Sequence, residues 1–156
     1  MATTIYKSNI VKYRLVKEPV DIKKIKVKSS EDIEKFAREL WQEIDIVESF
    51  YAFYLNRSNN IVGYRLISTG GLNSAIVDTT LLVKYAIESL SSGVIVAHNH
   101  PSGQLNPSKN DQNITQKIKS GLNLFDIKLL DHVILIPDNN EPYINNYLSF
   151  ADEGLL

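Results

Sequence analysis

The chain has 156 residues, 44% of them hydrophobic and 22% charged, which suits one well-cored globular domain and is short for two. It contains no cysteine, so disulfides, thiolate zinc sites and a cysteine nucleophile are excluded. The net charge of -1 gives no global attraction to nucleic acid, although residues 1–40 hold ten Lys/Arg against six acids and residues 41–156 hold seven against twelve.

No apolar run approaches the roughly 18 residues that a membrane span needs. The opening "MATTIYKSNIVKYR" lacks the apolar centre of a signal peptide, and a cytoplasmic location is expected. "IVKYRLV" and "IKKIKVK" have strand character and flank a turn at Pro19. From Ser30 the spacing of Ile33, Phe36, Ala37, Leu40, Trp41 and Ile44 predicts a helix with one apolar face, capped by Ser29 or Ser30. Two strands, "VESFYAFYLN" and "IVGYRLIS", follow around the turn "NRSNN". Beyond the turn "STGGLN", Asp78 can cap a helix over residues 79–90. "GVIVAH" is a short strand buried on both faces. A polar helix follows over 108–122 with Ile114, Ile118 and Leu122 on one face, then the buried strand "IKLLDHVILIP". The tail "YINNYLSFADEGLL" has no clear assignment. Strands alternating with helices indicate an α/β domain with a mixed sheet and packed helices.

The chemistry concentrates in "VIVAHNHPSGQLNPSKND". Residues two apart on a strand share a face at roughly 6–7 Å. His98 and His100 therefore project together if the strand extends that far, and they do so at a strand end, where α/β proteins commonly bind ligands. Pro101 and Gly103 turn the chain out of the sheet. Ser108 suits a helix N-cap and places Asp111 in the first turn, where an anion is favoured. Two imidazoles and a carboxylate supply three of the four positions of a tetrahedral site, with bonds of roughly 2.0–2.2 Å to zinc and a water completing it.

The pattern H-x-H-x7-S-x2-D, read from His98, His100, Ser108 and Asp111, resembles the signature of the JAMM (MPN+) metalloprotease-like domains. "HNHPSG" with the later pair Asp131-His132 is similar to the RadC branch of that superfamily. The resemblance covers about Glu48 to the C-terminus. It implies the JAMM/MPN fold, akin to that of cytidine deaminases, over a single domain of residues 1–156 with variable N-terminal strands in 1–28. It also implies one zinc ion on His98, His100 and Asp111, and a glutamate just beyond the first helix. Glu48 occupies that place, sharing a strand face with Phe50, Ala52 and Tyr54; Glu43 and Asp45 are rivals at the helix end. In this reading Glu48 takes the proton of a metal-activated water and Ser108 stabilises the oxyanion, which gives amide hydrolysis of a protein or peptide substrate.

His132 alternates with Leu130, Ile134 and Ile136, as a hydrogen-bonded core histidine does, and a place beside the metal is the sharper alternative. Asp131 can pair with a backbone amide or a cation, while Asn99 and Ser102 brace the ligand loop. Zinc deaminases are excluded by their need for P-C-x-x-C, and H-E-x-x-H is absent. A DNA-associated role is the chief alternative, because RadC-like proteins carry a DNA-repair label and often a helix-hairpin-helix region. The sequence before Glu48 is too short for that region, and the basic run with Lys23, Lys24 and Lys26 reads first as a solvated surface strand, with a nucleic-acid contact only weakly motivated. A non-catalytic MPN scaffold is the third reading.

Overall fold

The computed structural model describes residues 25–41, 43–70, 77–138 and 145–156. Helix α1 spans Ser30–Leu40, strand β1 Ser49–Leu55 and strand β2 Ile61–Thr69. Helix α2 spans Thr79–Glu88, strand β3 Gly93–Asn99 and helix α3 Lys109–Asn123. Strands β4, Lys128–Leu135, and β5, Tyr147–Ser149, complete the sequence of elements. The sheet order is β2-β1-β3-β4-β5; β3 and β4 run parallel and the other pairs are antiparallel. A mixed sheet between helices is the α/β architecture expected from the sequence.

Strand alternation sorts the core into two layers. Phe50, Ala52, Tyr54, Val94 and Val96 pack with Leu82 and Ala86 of α2 and with Ile118 and Leu122 of α3. On the other face Phe53, Leu55, Ile95 and Ala97 meet Ile33, Phe36 and Ala37 of α1. Every residue of β3 is buried, as a central strand covered by helices on both faces must be. Each large side chain closed off in this way, such as Phe53 or Leu82, contributes roughly 1.5–3 kcal/mol of transfer free energy.

Four sequence expectations change. The first helix stops at Leu40, with Trp41 as its C-cap, although the apolar period continues to Ile44. Trp41 and Ile44 still pack on the α1-side core, but the chain carrying them is held by Asn99 rather than by helical hydrogen bonds. The second helix stops at Glu88, and Leu90 beyond it has a φ of 52°. Leu130 does not share a face with His132: Val94 pairs with Leu129 and Ile95 with Asp131, so Leu130 is the extra residue of a bulge. Its side chain packs on the α1 layer, in space left by Gly93, where an added Cβ would lie 2.6 Å from Leu130 Cδ1. The unassigned tail supplies β5, paired with Val133–Leu135.

The N-terminal strand "IVKYRLV", Lys23 and Lys24 lie outside the described residues, as do residues 71–73 of "STGGLN". Of "IKKIKVK", the described part makes one bridge, from Lys26 to Asn60. Among the described residues, no helix is long and apolar enough to cross a membrane.

Candidate metal centre

The strand β3 carries His98 on the face of Val94 and Val96, opposite Phe50 of β1, and ends at Asn99. His100 follows the strand, yet its amide still donates to the Leu135 carbonyl at 2.7 Å, so the backbone stays in the sheet direction for one more residue. The chain then turns, with the Gly103 amide donating to the His100 carbonyl and Gly103 at φ 77°, a conformation that favours glycine. Ser108 caps α3: its Oγ accepts from the Asp111 amide at 3.1 Å, while Asp111 Oδ2 accepts from the Ser108 amide at 2.6 Å. This reciprocal capping box fixes the Asp111 carboxylate at the start of the helix.

The loop thereby folds both halves of the segment onto one point. His98 Nε2 and His100 Nε2 are 2.8 Å apart. Asp111 Oδ1 lies 3.2 Å from His98 Nε2, and Oδ2 lies 3.5 Å from His100 Nε2. One ligand atom from each of the three residues falls within 4.8 Å of the others, so together they could hold a metal ion. His98 and Asp111 are buried and His100 is half-buried.

Two features favour a cation at this point. The other ring nitrogen of His100, Nδ1, lies 2.6 Å from the Gln104 carbonyl, which can only accept. Nδ1 of His100 therefore carries a hydrogen, and in the neutral ring Nε2 keeps its lone pair for an ion. The electrostatics agree. Burial works to raise the Asp111 pKa, but the neighbouring imidazoles of His100 and His98 outweigh it and hold the carboxyl far below its ordinary range. Burial likewise works to lower the His100 pKa, and the hydrogen bond to Asp111, the Gln104 carbonyl and the charges of Asp111 and Glu48 raise it on balance.

Glu48 lies one residue before β1, half-buried, and its charge acts on His100. Its carbonyl accepts from the Gly70 amide at 2.7 Å. The segment bearing Glu48 is anchored by Asn99, which is fully buried. Asn99 Oδ1 accepts from the Trp41 indole at 2.9 Å and from the Ser49 amide at 2.7 Å. Asn99 Nδ2 donates to the Ile44 and Val47 carbonyls at 2.7 and 2.8 Å. Asn99 thus braces the glutamate's approach to the sheet rather than the histidine loop. Glu43 and Asp45, the rivals for that role, are exposed.

Next to the cluster, His132 is wholly buried, and its Nε2 lies 2.8 Å from His98 Nδ1. Burial holds its pKa well below the ordinary histidine value, with the neighbouring His98 acting in the same direction. Asp131, on the other side of β4, accepts from the amides of His132 and Ala151 and from the Ser149 hydroxyl. That is the backbone pairing expected of Asp131, and it ties β4 to the C-terminal turn.

The same fold and motif place the chain among known proteins. Residues 27–155 match the RadC-like JAB domain. The chain belongs to the RadC-like JAB family. This RadC-like protein is 42% identical over 108 residues to a UPF0758 protein of Flavobacterium johnsoniae, covering 69% of this chain and 44% of that one. It is 37% identical over 109 residues to the UPF0758 protein YeeS of Escherichia coli, covering 70% and 69% of the two chains. A UPF0758 protein of Fusobacterium nucleatum is 31% identical over 158 residues, covering all of this chain and 62% of the relative. The chain spans about half the length of several curated relatives it matches. The JAB superfamily is one of metal-dependent, hydrolase-like proteins, and the relatives' names specify no activity.

Proposed function

We infer that this RadC-like domain is a zinc-dependent hydrolase that cleaves an amide or isopeptide bond in a protein or peptide. The convergence of His98, His100 and Asp111 on one point carries this reading. Two imidazoles and a carboxylate suit zinc, with one position left for water. When bound, the ion supplies Lewis acidity, lowering the pKa of a water to about 7 and polarising the scissile carbonyl.

The chain's own residues account for the proton movements. Glu48 accepts the proton of the attacking water and returns it to the leaving amine, so that water and amide become a carboxylic acid and an amine. Its position one residue before β1, half-buried, and the action of its charge on His100 support this role. Ser108 uses only a lone pair in capping α3, since its Oγ accepts from the Asp111 amide. Its hydroxyl hydrogen is therefore available to the carbonyl oxygen as negative charge develops there.

The test separates binding from turnover. Purified protein is titrated with zinc and assayed against peptide and isopeptide substrates, beside Glu48→Gln and His98→Ala. The expected result is full zinc binding with hydrolysis lost in Glu48→Gln, and loss of both in His98→Ala. Wild-type hydrolysis by zinc-loaded Glu48→Gln would remove Glu48 from the reaction.

A further inference from the structure

Beneath the metal ligands runs a buried file of hydrogen-bonding groups. The helix residue Thr115 sits one turn after Asp111, on the α3 stripe that continues through Ile118 and Leu122. Its Oγ1 is 2.6 Å from the Asp111 carbonyl and 2.6 Å from His132 Nδ1. His132 Nε2 in turn lies 2.8 Å from His98 Nδ1. Thr115 and His132 are both fully buried, so these contacts have no competition from bulk water.

A hydroxyl has one hydrogen, and a carbonyl has none to give. The Thr115 hydrogen must therefore go to the Asp111 carbonyl, or two oxygens would face each other at 2.6 Å with nothing between them. Thr115 Oγ1 is then left to accept, and His132 Nδ1 must carry a hydrogen. In a neutral ring the His132 Nε2 is then a lone pair, which accepts from His98 Nδ1–H. The remaining nitrogen of His98 is Nε2, the one facing His100 and Asp111, and it keeps its lone pair. The rings cannot easily turn to escape this order. Phe50 stacks on His98 at 5.7 Å and Phe150 on His132 at 4.6 Å, with interplanar angles of 14° and 22°.

We propose that Thr115 and His132 are positioning residues that fix the tautomer of His98, holding its Nε2 as a metal-ready lone pair through the order Thr115, His132, His98. This rests on the metal reading above and extends it to two residues that touch neither ion nor substrate. It explains why the buried stripe of α3 begins with two polar side chains. It also gives His132 a task beyond filling the core.

The experiment combines zinc affinity with a direct view of the ring hydrogens. Thr115→Val keeps the side-chain shape but removes the acceptor, which favours the His132 tautomer with hydrogen on Nε2. That hydrogen would point at His98 Nδ1 and push the His98 hydrogen onto its ligating nitrogen. Zinc affinity should fall about 10- to 100-fold, as expected when the group orienting a metal-bound histidine is lost. Thr115→Ser, which keeps the hydroxyl, should restore the wild-type affinity. Long-range ¹H–¹⁵N spectra of the zinc-loaded wild type should place hydrogens on Nδ1 of both His98 and His132.

Wild-type affinity in folded Thr115→Val, affinity as weak in Thr115→Ser as in Thr115→Val, or a hydrogen on His132 Nε2 would each overturn the proposal while zinc binding itself stands. If Thr115→Val does not fold, the serine variant and the wild-type spectra decide. Failure of the wild type to bind zinc more tightly than His98→Ala would bring down the metal reading and this inference together.

Discussion

Replacing Asn99 by alanine should cost far more than the loss of one exposed amide. Four groups depend on this side chain: the Trp41 indole, the Ser49 amide and the carbonyls of Ile44 and Val47. Each hydrogen bond is worth about 1 kcal/mol net, and a buried partner left without one costs about 1–3 kcal/mol. The four partners are half-buried, so water reaches part of the gap. We therefore expect Asn99→Ala to destabilise the zinc-free protein by about 2–4 kcal/mol. Urea unfolding, read as a shift in midpoint at constant slope, measures this directly. Asn99→Asp is the sharper control, because a carboxylate keeps the two accepted bonds but sets oxygen against the Ile44 and Val47 carbonyls. It should be no more stable than the alanine variant, and hydrolysis should fall in both because the Glu48 segment loses its anchor. A loss below about 1 kcal/mol for Asn99→Ala, the worth of a single bond, would refute the four-bond clamp.

Zinc at one hundred times its dissociation constant should add about 2.7 kcal/mol of stability, or about 5–10 °C in melting temperature, reversed by a chelator and absent in His98→Ala; an equal shift in that variant would place the zinc elsewhere. In the metal-free protein, Asp111 is held below its ordinary pKa, so its contribution is present above about pH 4 and lost as pH falls further. His100 is raised, so its contribution is full below about pH 6.5 and lost as pH rises through its folded value. The stability gap between wild type and Asp111→Asn should therefore peak between about pH 4 and 6.5 in urea titrations, and a gap independent of pH would count against the pairing. Asp131→Ala strands two amides and the Ser149 hydroxyl and should cost about 2–4 kcal/mol by thermal unfolding, with Asp131→Asn clearly milder; equal losses would show that the acceptor oxygens are not what matters.

Legibility in the sequence followed contiguity. His98, His100, Ser108 and Asp111 lie on one strand–loop–helix unit, so local rules of strand face and helix capping bring them together. Asn99 shows where such rules stop. Its partners at Trp41, Ile44 and Val47 are more than fifty residues away, and nothing near Asn99 announces them. The same tertiary hold ends α1 at Leu40, against a periodicity that runs on to Ile44. The bulge at Leu130 broke the simple alternation on β4, because Gly93 on the neighbouring strand leaves room for a side chain that pure periodicity sends to the other face. Thr115 is not legible in this way, because a threonine in a polar helix is ordinary. Its position four residues after Asp111, on the stripe of Ile118 and Leu122, was the available signal.

The capping box at α3 places two demands on a single carboxylate. Asp111 Oδ2 holds the Ser108 amide while Oδ1 faces His98. A lineage that abandoned the chemistry would still pay in helix stability for discarding Asp111, whereas the His100 ring holds only a loop carbonyl, that of Gln104. Decay of the site should therefore be uneven, with the exposed-side imidazole drifting first and the aspartate persisting as a structural relic. Among relatives of this domain, an intact aspartate beside a missing second histidine would mark a protein that has kept the architecture and given up the ion.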